Sequence, residues 1–91
     1  MKQFREPGNT AVFTTRFVLE GSPIVLVTHD EDGAWQFHSE EDIINDDDIK
    51  LVSLDEMIRL DNSILELADM PESFRAMRGS KTLPWKIVGD N

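Results

Sequence analysis

Apolar and polar positions alternate over residues 10–19. Phe13, Thr15, Phe17 and Leu19 fall on one side and Val12, Thr14, Arg16 and Val18 on the other, the period-two pattern of a strand. Glu20-Gly21-Ser22-Pro23 reads as a turn, and residues 24–29 are apolar on both faces, as in a central strand covered from both sides. Asp30-Glu31-Asp32-Gly33 closes a second hairpin. A four-residue turn sets Trp35 and Phe37 opposite Thr28 and Leu26, on the face of Phe17, Leu19 and Ile24, so that the aromatics form one core face. In that register His38 faces Val25 and His29 faces Ala34.

Ser39 is placed to cap a helical turn over residues 40–45, with Ile43 and Ile44 turned inward. Residues 49–52 read as a fourth strand. Ser53-Leu54-Asp55-Glu56 has the form of a capping box, opening a helix that buries Leu54, Met57, Ile58 and Leu60. Asp61-Asn62-Ser63 interrupts it and caps a second helix with Ile64, Leu65, Leu67 and Ala68 inside, which Pro71 stops. Residues 72–78 are helix-compatible and end at Gly79, the residue suited to a left-handed terminus. Residues 84–88 read as extended, with Trp85 closing the core or extending the sheet edge. The expected fold is α+β: a three- to four-stranded antiparallel sheet with two or three short helices packed on one face.

Ninety-one residues bound this to a single domain over 1–91, with 1–9 expected to be flexible. The 40% hydrophobic content supplies a core, so the 30% charged content describes a solvated surface rather than disorder. No cysteine is present, which fits a reducing compartment, and a cytoplasmic location is the default expectation. The polar first residues do not read as a signal peptide, and the longest apolar run, Ile24-Val25-Leu26-Val27, is far short of a membrane span.

The net charge of −9 is concentrated. Asp30, Glu31, Asp32, Glu40, Glu41, Asp42, Asp46, Asp47 and Asp48 lie in a segment with no Lys or Arg, and the charges of the remaining residues cancel. Such a field repels nucleic acid and steers basic partners, so these nine residues are the candidate partner-binding set. Solubility alone is the plainer explanation. A second candidate hot spot is Arg75, Arg78 and Trp85, with Phe74 nearby, because guanidinium groups pair with carboxylates and stack on rings. Alternatively, Arg75 and Arg78 lie on one helix face and answer the acidic segment of the same chain.

Candidate chemistry is sparse. His29 and His38 are not direct neighbours in the hairpin, and the start of a calcium loop at Asp30-Glu31-Asp32-Gly33 lacks its later ligands. The side chains of Asp46-Asp47-Asp48 point in different directions, which suits at most weak ion binding. Neither a nucleophile motif nor a phosphate loop occurs. No catalytic residue, metal ligand or cofactor is assigned, and an enzyme is the less favoured class.

The run Asp32-Gly33-Ala34-Trp35-Gln36-Phe37, followed by Val52-Ser53-Leu54, then residues 60–68, Pro71, Ala76, Arg78 and Trp85, resembles a family of small uncharacterised bacterial proteins. Some of its members look like immunity proteins of polymorphic toxin systems. The resemblance covers most of residues 23–86, supplies no catalytic residue, and implies a toxin-neutralising role. The expected function is a non-catalytic protein-binding module meeting a basic protein such as a toxin. The alternatives are a housekeeping homodimer, then a small enzyme or metal binder.

Overall fold

The computed structural model describes residues 2–89; Met1, part of the segment expected to be flexible, lies outside the described residues. Six strands, β1 (Ala11–Thr15), β2 (Leu26–His29), β3 (Trp35–His38), β4 (Ile49–Ser53), β5 (Phe74–Met77) and β6 (Lys86–Gly89), form one sheet in the order β4-β1-β3-β2-β5-β6. Two α-helices, α1 (Arg16–Leu19) and α2 (Leu54–Leu60), and two 3-10 segments, Asp46–Asp48 and Asn62–Leu67, complete the chain. The α+β class stands, but the expected three- to four-stranded antiparallel sheet is corrected to a six-stranded mixed one with a single parallel pair, β1 with β3.

Two local causes enlarge the sheet. Strand β1 stops after Thr15 because the Thr15 hydroxyl accepts the Val18 amide at 3.3 Å and turns the chain into α1. No β1–β2 hairpin forms; β3 lies parallel to β1, with Phe13 beside Gln36, and β4 pairs with the other edge of β1. The second cause is β5, which replaces the helix expected over residues 72–78. Ser73, at φ 69, turns the chain and donates its amide to the His29 carbonyl at 2.7 Å, laying Phe74 beside His29 along β2. Phe74 and Ala76 then face inward while Arg75 and Met77 face out, an alternation too short to register against the helix-compatible composition. Gly79 ends no helix and is not among the positive-φ residues. Of residues 84–88, expected to be extended, Lys86, Ile87 and Val88 lie in β6, which runs on to Gly89, while Pro84 and Trp85 precede it.

The β2–β3 hairpin closes through five residues, not four. Asp30 donates its amide to the Ala34 carbonyl, Asp32 accepts the Ala34 amide, and Gly33 takes φ 93, a conformation side chains disfavour. His29 therefore pairs with Trp35 and Leu26 with His38, one residue from the expected register. Trp35 and Phe37 still face inward, but Val27 replaces Leu26 opposite Phe37. In β1 the faces are reversed likewise: Val12 and Thr14 are buried and Phe13 is exposed.

The core lies between one face of the sheet and the α2/3-10 layer, where Val12, Val27, Trp35, Phe37 and Ala76 meet Leu54, Met57, Ile64, Leu67 and Met70. Helix α2 starts as expected, with Ser53 Oγ accepting the Glu56 amide at 3.2 Å. Asp61 caps the next segment through the Ser63 amide. No helical turn follows Ser39; residues 40–45 are irregular, and Ile43 and Ile44 are exposed rather than packed inward. Residues 2–9 form no regular element, yet Phe4 meets Trp35 edge-on at 5.0 Å and Lys2 pairs with Asp69 at 3.2 Å. No helix among the described residues is long and apolar enough to cross a membrane.

Candidate functional site

The nine acidic residues divide into those the fold uses and those it leaves facing solvent. Asp48 is buried: its carboxylate accepts Arg16 Nε at 2.7 Å and the Ile44 and Asn45 amides at 3.3 Å, tying the loop to α1. The hydrogen bond from Arg16, helped by these amides, holds the Asp48 carboxyl below its ordinary value and raises Arg16 above its own. Glu41 accepts the Ser22 hydroxyl at 2.6 Å, which with further hydrogen bonding lowers its carboxyl. Asp32 caps the hairpin turn and Asp30 accepts Gln36 Nε2 at 2.7 Å. Glu31, Glu40, Asp42, Asp46 and Asp47 are exposed and have no ion-pair partner among the described residues.

Four of these unpaired carboxylates, Glu40, Asp42, Asp46 and Asp47, flank Ile43 and Ile44, the latter 84% exposed. The loop leads directly into β4. There Ile49 and Leu51 share the sheet face that the helices do not cover with Phe13, their neighbour on β1, and Leu51 is 62% exposed. Acidic groups thus border an apolar surface, the composition of a docking patch. Farther along the same face, His38 Nε2 lies 3.0 Å from Gln36 Oε1, and Gln36 in turn donates to Asp30. Burial lowers the His38 pKa although the Asp30 charge opposes the shift.

The C-terminal candidates are differently placed. Arg75 and Arg78 do not share a helix face; Arg75 lies on β5, facing outward, and Arg78 follows β5 facing inward. Arg78 donates to Asp61 Oδ2 at 2.7 Å, Ser63 Oγ at 3.0 Å and the Ile24 carbonyl at 3.0 Å, and stacks at 3.9 Å over Trp85. Its pair with Asp61 is almost fully enclosed, with side chains 2% and 8% exposed. This is a clamp joining β5, the 3-10 segment and the chain before β6. It answers Asp61, not the 30–48 segment.

A third cluster escaped the sequence reading. The ring of His29 stacks on Trp35 with centroids 3.9 Å apart and planes 10° from parallel, and Trp35 Nε1 donates to Glu6 Oε2 at 2.8 Å. A cavity of about 320 Å³ opens beside them, bordered also by Arg5, Gly33 and Glu72. A single Glu in a polar N-terminal stretch gives no signal by itself; only the paired inward positions 29 and 35 could have suggested an aromatic platform. Among the described residues no three His, Asp or Glu side chains converge as a metal site requires. Comparison with family models, with curated proteins and with solved structures found no match to this chain.

Proposed function

We propose that this chain is a non-catalytic protein-binding module that docks a basic partner protein on the acidic 40–47 loop and the adjoining face of β1 and β4. The carrying observation is the exposure of Ile44, Leu51 and Phe13 beside four unpaired carboxylates. Apolar contact would supply the affinity and the acidic border the encounter rate and the preference for a basic surface. Toxin neutralisation is one form of this reading and rests on the family resemblance alone. A homodimer through the same face would bring two acidic loops together, which a net charge of −9 opposes.

The test begins with a partner captured from the native host and measures association kinetics. Replacing Glu40, Asp42, Asp46 and Asp47 by Gln or Asn spares the structural Asp48 and Glu41. It should slow association about tenfold at low salt, and Leu51→Asn should instead speed dissociation. Wild-type association should slow as salt shortens the Debye length from about 10 Å at 0.1 M to about 3 Å at 1 M, and the neutralised variant should respond less. Equal on-rates with equal salt dependence would remove the acidic loop from recognition.

A further inference from the structure

The cavity beside Glu6, His29 and Trp35 lies on the helix side of the sheet, away from the proposed docking face. His29 Nδ1 is 2.8 Å from the Met70 carbonyl oxygen. A carbonyl only accepts, so Nδ1 carries a proton, and Nε2 presents a lone pair whenever the ring is neutral. The Glu6 Oε2 atom is 4.0 Å from that nitrogen, beyond hydrogen-bond reach. Trp35 spends its one donor on Glu6 Oε2, while Glu6 Oε1 is buried with no donor among the described residues. Glu72 adds a second carboxylate across from Gly33, where even a Cβ would come within 3.3 Å of it. Apart from the exposed Arg5, the charged groups bordering this cavity are the carboxylates of Glu6 and Glu72, and the donors of Trp35 and His29 are already engaged by Glu6 and the Met70 carbonyl.

We propose that this cavity is a binding site for a small organic cation, an alkylammonium or alkylguanidinium group. A guanidinium brings five N–H donors and one positive charge. It can approach the partly exposed Glu6 carboxylate, meet the lone pair of a neutral His29 ring and neutralise Glu72. Enclosure strengthens these charge-assisted bonds relative to water. The volume, about 320 Å³, is at the low end of ligand pockets, which run about 300–1,000 Å³, and fits one such head group with a short alkyl chain along Ala68 and Pro71. The stacked His29–Trp35 pair, held by Met70 and Glu6, gives the site a fixed wall. Arg5 bears the like charge and opposes binding.

The experiment titrates the isotope-labelled full chain with methylguanidinium chloride and, separately, with N-acetyl-arginine amide, against sodium chloride at equal ionic strength. The Trp35 Nε1–H and His29 ring resonances report binding. Saturable shifts with either probe support the site; the free cation alone marks a soluble amine as ligand, and the capped arginine marks a partner's side chain. Glu72→Gln should weaken binding about tenfold and Arg5→Ala should tighten it severalfold. Both residues are exposed, so the fold is preserved. Shifts that do not saturate, that sodium chloride reproduces, or that keep wild-type affinity in Glu72→Gln overturn the proposal.

Discussion

Arg78 holds a full charge in the interior because Asp61, Ser63 and the Ile24 carbonyl take its donors and Trp85 covers its face. Removing one member of such a pair strands the other. Arg78→Met should therefore cost about 3–5 kcal/mol at neutral pH, read from denaturant unfolding. Burial alone would raise the Asp61 carboxyl; hydrogen bonds from Ser63 and Arg78, together with the Arg78 charge, outweigh it and leave Asp61 below its ordinary value. The depressed value means that the stability Asp61 contributes is complete above the ordinary carboxylate range and is lost as pH falls through its lowered value. In Arg78→Met the stranded Asp61 is relieved by protonation, so the gap between variant and wild type should narrow in acid. A gap independent of pH would show that Arg78 acts through packing alone. Trp35 is the second such residue: it is 1% exposed and touches His29, Phe4 and Glu6. Trp35→Ala should cost about 3–5 kcal/mol, and a loss below about 1 kcal/mol would contradict its place in the core.

At the scale of elements, α2 depends on one cap. Ser53→Ala leaves the Glu56 amide without its acceptor and should lower stability by about 0.5–2 kcal/mol, seen as a shifted unfolding midpoint with an unchanged slope. This cap was legible because its spacing is local, and so were the Asp61 cap and the extended chain before Gly89. Strand β5 was not legible. Its four residues suit a helix equally well, and what decides between them is the open edge of β2, nearly fifty residues earlier. The parallel β1–β3 pair was hidden for the same reason: Thr15 turns the chain away before a hairpin can form. In the acidic segment, composition located the charge but could not distinguish Asp48 from Asp46 and Asp47, since its partner Arg16 is 32 residues distant. Arg78 and Trp85 did come together, although Arg78 is enclosed within the protein.

The whole molecule is a sheet covered by helices on one face only, with the unpaired carboxylates Glu40, Asp42, Asp46 and Asp47 gathered in the loop that leads into β4 beside the uncovered face. Strands β1, β3, β2 and β5 each have two neighbours, whereas β4 and β6 have one. Amide hydrogen exchange averaged by strand should be slowest in β1 to β3, which flank the Trp35–Phe37 core, and fastest in β6. Equal protection across all six would mean that the sheet opens only as a unit.

The inner position of β1 also bears on biosynthesis. Its two neighbours are the third and fourth strands of the chain, so nothing made immediately after it can close its edges. At about 5–20 residues per second, a ribosome needs about 2–8 s to add the residues between β1 and the end of β4. For that interval the β4 edge of the strand carrying Val12 and Phe13 stays unpaired, the kind of edge that chaperones capture and that neighbouring nascent chains pair with.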